Sequence, residues 1–210
     1  MPLIKEIIES TKFIQRTEGW KAIPRYLFHP FYEGISGYIM LSDLSNTIPP
    51  VPPKLALEIR EATPADAPRF QKILPMFRIR RFMQKMEAGE RCAIGLLNGD
   101  VIYYAWASIA GQPTAAESPI KLGPKDVYFW GAYTMPEYRR GGVSASVSSY
   151  HADLMRQLGY ETGYHVVKFK NVPSLALCKK LHLKIIGRIN GVRIGRWRLC
   201  KTTLNDVTLV

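Results

Sequence analysis

The chain has 210 residues, of which 47% are apolar and 22% are charged, and its net charge at pH 7 is +12. This length suits one domain with an extension, and this composition favours a packed core over disorder. No uninterrupted run of 18 apolar residues occurs, so we expect no transmembrane helix. Charged side chains interrupt the apolar N-terminus, which argues against a signal peptide, and three scattered cysteines indicate free thiols in a reducing compartment. We therefore expect a cytoplasmic protein.

The first 55 residues are expected to lie outside the main domain. Residues 2–16 place apolar side chains on one helical face, and residues 38–44 fit a short strand. Residues 47–53, TIPPVPP, indicate a stiff, extended linker. We predict a helical N-terminal extension and linker over 1–55 and a domain over 56–204. Because the apolar helical face must be buried, the extension should pack on the domain or on a second subunit, so a homodimer is one expected assembly.

The elements after the linker alternate between strands and helices. Asn98-Gly99 is a strong signal for a type I′ turn between two strands. Residues 110–125 form a long polar connection, and loops of this length in compact domains are usually functional or mobile. In chain order we predict a strand at 57–62, a helix starting at Thr63, a helix at 77–87 and two strands within 91–109.

The second half of the chain continues the same alternation. Residues 127–134 are apolar on both faces and indicate a central strand. The helix that follows has an apolar face made of Val143, Val147, Tyr150, Leu154 and Leu158. After it we predict a strand near 162–169, a short helix at 171–181 and a closing hairpin around Asn190-Gly191.

The turn between the central strand and its helix reads PEYRRGGVSASV, residues 136–147. A glycine-rich turn that opens a helix leaves backbone N–H groups unpaired, and the helix dipole adds partial positive charge there. Gly141 and Gly142 let the backbone approach a ligand, and Arg139 and Arg140 add full charges. The turn therefore predicts an anion site suited to phosphate or pyrophosphate. It is neither a P-loop nor a G-x-G-x-x-G motif.

Basic residues are concentrated near the C-terminus. Residues 160–201 contain ten Lys or Arg and one acidic residue, a net charge of +9. Such a block is typical of a solvated face, an anionic cofactor or substrate site, an anionic membrane surface or a nucleic-acid site. Nucleic acid is the weakest of these interpretations, because no recognisable reading module accompanies the charges.

Two segments resemble motifs of the GNAT superfamily of N-acetyltransferases. Residues 139–144, RRGGVS, resemble its acetyl-CoA motif of Arg or Gln, two residues, Gly, one residue, and Gly or Ala. Residues 171–187, NVPSLALCKKLHLKIIG, resemble its second signature, and the element order from Leu57 to Cys200 is similar to the family fold. The resemblance implies an α+β fold with a mixed, mostly antiparallel central sheet, flanked by helices, whose central strands splay apart.

The resemblance also implies the site and the reaction. Acetyl-CoA would donate the acetyl group, no metal would take part, and a small-molecule amine would attack the thioester directly in a ternary complex. The pantetheine arm would lie between the strands at 127–134 and 162–169. The residues implied as cofactor contacts are Ala132, Tyr133, Thr134, Arg139, Arg140, Gly141, Gly142, Val143, Ser144 and Asn171.

Two residues are catalytic candidates by position. Cys178 stands where the family's tyrosine acid is usual, and Tyr128 stands where some members carry a carboxylate base. Cys178 could donate a proton to the departing thiolate, or it could be a small buried apolar side chain that fills the space of the ring. Other candidates for the base, each more typical of a structural or solvated role, are Asp126, Glu137, His151 and His165.

Two classes of function stay open at this point. The first is an acetyl-CoA-dependent N-acetyltransferase. The second is a catalytically weak acyl-CoA-binding regulatory or membrane-surface protein that uses the same cofactor site, because the usual acid is replaced. The acceptor pocket would be built by the loops at 76–90 and 110–125.

Overall fold

The computed structural model describes residues 32–46, 48–116, 118–194 and 197–208, with residues 8, 11, 12, 14–16, 19, 20 and 23. Early positions 8, 11, 12 and 14–16 are helical, and the rest of the predicted helix lies outside the described residues. No helix in the described part of the chain combines the length and apolarity that crossing a bilayer requires. The strands are β1 Tyr32–Asp43, β2 Glu58–Glu61, β3 Arg91–Leu97, β4 Asp100–Ile109, β5 Asp126–Thr134, β6 Thr162–Lys168, β7 Lys184–Ile194 and β8 Trp197–Thr208. The helices are a 3-10 helix Pro64–Lys72, α1 Met76–Glu87, α2 Pro113–Ala116, a 3-10 turn Pro136–Tyr138, α3 Val143–Gln157 and α4 Val172–Lys180.

The eight strands form one sheet in the order β2-β3-β4-β5-β6-β1-β7-β8. The β5–β6 pair is parallel, and the other neighbouring pairs are antiparallel. The 3-10 helix and α1 pack on one face of β3 and β4, where Phe70, Ile79 and Trp106 are buried. α3 packs on the other face, where Val143 and Val147 are buried. The predicted fold class, a mixed and mostly antiparallel sheet flanked by helices, is confirmed.

β1 lies inside the sheet, although it belongs to the segment that was expected to form an extension. It pairs with β6 on one side and with β7 on the other. Ile39, Met40 and Leu44 are fully buried, so both faces of the strand are covered. The short strand predicted at 38–44 is present but starts at Tyr32. The predicted boundary between residues 55 and 56 therefore does not separate the first 55 residues from the sheet. α4 connects β6 to β7 in the chain, but these two strands are not neighbours in the sheet. β1, from the N-terminal part of the chain, lies between them.

The proline-rich residues 48–57 run along α3 rather than between two domains. The Ser149 hydroxyl donates a hydrogen bond of 2.7 Å to the Pro49 carbonyl. Leu55 and Leu57 pack against the cluster that contains Val147. Proline lacks an N–H and prefers extended backbone, so this segment covers the helix without adding a strand.

The buried face of α3 is wider than the apolar pattern predicts. Val143 and Val147 are buried as expected, but Leu158 is 46% exposed. His151 and Met155 are buried instead. The sheet covers one side of the helix and the proline-rich segment covers part of the other, so the residues in contact include polar ones that a pattern of apolar spacing misses.

One predicted turn is correct and another is wrong. Asn98 and Gly99 have φ angles of 52° and 83°, as a type I′ turn requires, and they connect β3 to β4. Asn190-Gly191 was predicted as the closing turn, but β7 continues through both residues to Ile194. Asn190 pairs with Ser36 of β1 and with Lys201 of β8. Pairing on both sides holds these residues extended, so β7 runs on past them to Ile194.

His151 is buried in α3 with no hydrogen-bond partner for either ring nitrogen among the described residues. Burial lowers the pKa of His151 from 6.5 to about 3, so its imidazole is neutral at physiological pH. As the pH falls below 6.5, the unfolded chain takes up this proton first and the folded state is disfavoured. We expect the free energy of unfolding to fall by a few kcal/mol as the pH drops from about 6.5 towards 3.

The variant His151→Leu should lose this part of the acid destabilisation, which urea unfolding measured between pH 7 and pH 4 would detect. The exposed His182→Asn is the matched control and should keep the wild-type pH dependence. If the free energy of unfolding of His151→Leu fell between pH 7 and pH 4 as it does in the wild type, His151 would not contribute to the acid destabilisation.

Candidate functional site

β5 and β6 separate partway along their length. They pair in parallel from Asp126 and Thr162 to Phe129 and His165, and this pairing then ends. β5 continues to Thr134, whereas β6 continues beside β1. Residues 130–134 thereby pair with β4 but not with β6, and they lie on the edge of an opening between β5 and β6. Three predicted cofactor contacts, Ala132, Tyr133 and Thr134, lie on this edge.

A bulge in the β4–β5 pair lies beside the opening. The register shifts between Tyr104 and Trp106, and Gly131 has a φ angle of 64°. A Cβ at Gly131 would lie 3.3 Å from Trp106 Cδ1. A bulge bends and twists its strand, so this one helps to turn the end of β5 away from β6.

The turn after β5 has the backbone that the glycine motif predicts. Arg140 and Gly142 have φ angles of 68° and 81°, on either side of Gly141. A positive φ is unusual for arginine and is found mostly where structure or function demands it. The Arg139 Nε donates a hydrogen bond of 3.2 Å to the Thr134 carbonyl, which ties the turn to the end of β5.

The start of α3 presents backbone donors next to these charges. Its first helical bond runs from the Ser146 N–H to the Gly142 carbonyl at 3.1 Å. The N–H groups of Val143 and Ser144 precede that bond and are available to an anion. A Cβ placed at Gly142 would find its nearest heavy atom 3.9 Å away, so the turn has open space beside the backbone. These donors, this space and the exposed Arg139 and Arg140 fit a phosphate or pyrophosphate group.

Asn171 lies beyond the end of β6 and caps α4. Its side-chain oxygen accepts a hydrogen bond of 3.3 Å from the Ser174 N–H. Because β5 and β6 are parallel, their C-terminal ends reach the same edge of the sheet. The structure therefore brings Asn171 to the same edge as the arginine and glycine turn.

Cys178 is buried in a cluster of apolar side chains. It is 6% exposed and packs with Met40, Val167 and Leu183. Burial raises the pKa of the Cys178 thiol to about 11, which makes it a weaker proton donor than an ordinary cysteine. This environment favours the packing role over the acid role.

Tyr128 lies on the other face of the sheet. Val127 and Phe129, its neighbours on β5, contact the α3 side, where Phe129 meets the ring of His151 edge-on at 5.3 Å. Side chains alternate along a strand, so Tyr128 points to the face that carries α1. Cys178 packs on Met40, whose partner His165 in β6 stacks on Phe129, so Cys178 lies on the α3 face. The two catalytic candidates are therefore on opposite faces and could act on one substrate only through the opening between β5 and β6.

The other base candidates have structural contacts or lie apart from the opening. The Asp126 carboxylate accepts a hydrogen bond of 2.7 Å from the Gly123 N–H and holds the turn before β5. His165 stacks on Phe129, and burial lowers its pKa to about 4. Glu137 is exposed in the 3-10 turn next to the arginines.

A buried carboxylate that no sequence motif indicates lies near α1. The side chain of Glu90 has no exposed surface and accepts hydrogen bonds from the Ser108 hydroxyl at 2.9 Å and the Thr114 N–H at 3.0 Å. The Lys85 ammonium lies 3.7 Å from it and 4.5 Å from the centre of the Trp130 ring. Glu90 lies in the short Ala-Gly-Glu connection between α1 and β3, where the sequence gives no signal of burial. These contacts hold the start of the predicted acceptor loop.

A cavity of about 430 Å³ lies within that loop. It is at the end of β5 opposite to the arginine and glycine turn, because the loop leads into Asp126. Its walls are Ala110, Gly111, Ala115, Ser118, Pro119, Ile120, Lys121 and Leu122. No group of three or more His, Cys, Asp or Glu side chains placed to hold a metal ion occurs in the described ranges.

No family model matches the sequence, and no curated protein matches it. Among solved structures, a GNAT-family acetyltransferase from Streptococcus pneumoniae is 14% identical with a TM-score of 0.50, covering 64% of this chain and 88% of that chain. A Drosophila protein is 11% identical with a TM-score of 0.57, covering 83% of this chain and 58% of that chain. An aminoglycoside antibiotic 6'-N-acetyltransferase from Acinetobacter baumannii is 14% identical with a TM-score of 0.48, covering 60% and 89%.

At these identities the likeness concerns the fold alone. The chain has the GNAT fold, as the resemblance of its motifs implied. The opening between β5 and β6, the arginine and glycine turn and the start of α3 lie together at one edge of its sheet.

Proposed function

We propose that the protein binds acetyl-CoA in the opening between β5 and β6 and transfers its acetyl group to an amine. The observation that carries this proposal is the separation of β5 from β6 directly before a turn with two arginines and two glycines. The opening exposes backbone for an extended arm, and the turn offers donors and charge for phosphates at its end.

The residues around the opening would hold the phosphates, hold the pantetheine arm and stabilise the developing negative charge. Arg139, Arg140 and the N–H groups of residues 142–144 would hold the pyrophosphate, and the backbone of residues 132–134 would bond the pantetheine arm. When bound, acetyl-CoA supplies an activated acetyl group for attack by the amine. A backbone N–H on the edge of β5 would stabilise the oxygen that gains negative charge. Asn171 would contact the arm from the end of β6.

The test is a calorimetric titration with CoA, followed by an assay of thiol release from acetyl-CoA against a panel of amines. Binding together with amine-dependent thiol release is the expected result. Absence of CoA binding would overturn the proposal. The control is a matched panel of alcohols in the same assay. Thiol release with alcohols should be slower than with amines, because alcohols are weaker nucleophiles.

A second candidate is an acyl-CoA-binding protein without turnover, with a regulatory or membrane-surface role. It is favoured by the environment of Cys178, where the usual tyrosine acid is replaced by a buried thiol of raised pKa. Tight binding of acetyl-CoA without thiol release in the amine panel would favour this candidate. A cytoplasmic location and homodimer formation stay predictions.

Cys178→Ala and Cys178→Tyr test the proton donor. If the thiol protonates the departing thiolate, Cys178→Ala should lower kcat by roughly ten- to a thousandfold with little change in CoA affinity, and tyrosine should restore part of it. The buried environment instead leads us to expect nearly unchanged kcat in Cys178→Ala, with a small loss of stability from the lost packing. A steady-state assay of kcat with a urea unfolding curve for each variant separates the two outcomes.

A further inference from the structure

We propose that Lys54, in the proline-rich segment, is part of the site that binds the cofactor pyrophosphate. Its backbone N–H would position the turn between β5 and α3, and its ammonium would add positive charge there. This inference rests on the proposed function, because it adds a residue to the same site. The GNAT-like motif ends at residue 144, and nothing in that motif includes a residue before β2.

The path of the segment brings Lys54 to this turn. The segment is anchored near the middle of α3, where the Ser149 hydroxyl donates to the Pro49 carbonyl. It then runs against the direction of the helix and reaches the turn, where the Lys54 N–H donates a hydrogen bond of 3.3 Å to the Gly141 carbonyl. Five residues of extended backbone span about 15 Å, whereas the helix rises only about 9 Å from Ser149 back to Val143, so the segment is long enough to reach the turn before the helix.

The hydrogen bond from Lys54 sets the direction of one peptide group in the turn. The Gly141 carbonyl and the Gly142 N–H belong to the same trans peptide, so they point in opposite directions. Because the carbonyl points to the proline-rich segment, the Gly142 N–H points away from it. No described residue accepts a hydrogen bond from this N–H. The segment therefore holds a backbone donor in an orientation that an anion can use.

The side chain of Lys54 carries an available charge. It is exposed, and its ammonium forms no ion pair with a described residue. The Lys54 backbone nitrogen lies 3.9 Å from the position of a Cβ at Gly142, and the flexible four-carbon stem lets the ammonium reach across the turn. With Arg139 and Arg140 it forms a group of three cations beside the start of α3.

Two substitutions separate the charge from the hydrogen bond. Lys54→Ala keeps the backbone N–H and removes the ammonium, whereas Lys54→Pro removes both. Lys180→Ala, which removes an exposed lysine of α4, is the control for a general loss of positive charge. Each variant of the full chain is titrated calorimetrically with CoA, with dephospho-CoA, which keeps the pyrophosphate, and with pantetheine, which has no phosphate.

We expect Lys54→Ala to weaken the binding of CoA and of dephospho-CoA by the same factor, about three- to tenfold, and to leave the affinity for pantetheine unchanged. This loss should shrink at high salt, because salt screens exposed charges. Lys54→Pro should weaken the binding of CoA and dephospho-CoA further. Lys180→Ala should bind all three ligands with the wild-type affinity. A selective loss for phosphate-bearing ligands is a result that general destabilisation would not produce.

Three results would overturn the inference while leaving the proposed function standing. They are wild-type affinity for CoA in Lys54→Ala, an equal loss for pantetheine and CoA, and a loss for CoA that dephospho-CoA does not share. The last would assign Lys54 to the 3′-phosphate instead of the pyrophosphate. Failure of the wild-type protein to bind CoA would overturn the proposed function itself.

Discussion

A chain that begins at Lys54 should lose its cooperative folding. This truncation removes β1 from the middle of the sheet and leaves β6 and β7 without the strand that pairs with both. It also removes Ile39, Met40 and Leu44, and burial of each such side chain contributes about 1.5–3 kcal/mol. A domain of this size is typically stable by only about 5–15 kcal/mol, so the loss is comparable to the whole stability. Urea unfolding followed by circular dichroism would measure it.

Two glycines of β1 provide a matched test within the full chain. A Cβ at Gly37 would overlap the Val167 carbonyl oxygen of β6, whereas a Cβ at Gly34 would have no heavy atom within 4 Å. Gly37→Ala should therefore lower the free energy of unfolding clearly, and Gly34→Ala should change it little. If the truncated chain unfolded with the same midpoint and slope as the full chain, β1 would not be integral to the sheet.

The double variant Arg139→Ala and Gly142→Asp should weaken CoA binding by well over tenfold. The aspartate places a negative charge where the phosphates would approach, and the lost arginine removes a positive one. The structure has room for the new side chain, since the nearest heavy atom to a Cβ at Gly142 is 3.9 Å away. Aspartate also tolerates the positive φ angle of 81° better than most residues, so the variant should stay folded. Calorimetry with CoA measures the effect.

Gly142→Asn separates charge from shape in this experiment. Asparagine has nearly the size of aspartate and a similar tolerance for positive φ, but no charge. We expect Gly142→Asn to weaken CoA binding much less than Gly142→Asp does. Unchanged CoA affinity in the double variant would remove the basis for placing phosphates at this turn.

Local sequence signals were sufficient for the backbone of the turn after β5. The residues RRGGVS are contiguous, and a glycine-rich turn between a strand and a helix is a short-range feature. The positive φ angles of Arg140 and Gly142 agree with the predicted turn. The turn at Asn98-Gly99 could equally be predicted from the sequence, because two adjacent residues determine its geometry.

The misplaced hairpin shows where such signals fail. Asn190-Gly191 has the same residue types as Asn98-Gly99, but it lies in the middle of a strand that is paired on both sides. Tertiary pairing overrides the local preference there, because hydrogen bonds on two edges outweigh the small cost of keeping Asn and Gly extended. No local feature of the two dipeptides distinguishes them.

The sequence by itself determined the strand–turn–helix unit with its arginine and glycine turn, because the geometry of this unit depends on neighbouring residues. Only the tertiary structure decided which distant segments complete the site. β1 pairs with β6 across 119 to 131 positions, and Lys54 meets Gly141 across 87 positions. It also decided that Cys178 is buried against Met40 of β1. Contacts of this kind depend on the order of strands in the sheet, and hydrophobic spacing indicates that a strand is covered without indicating by which partner.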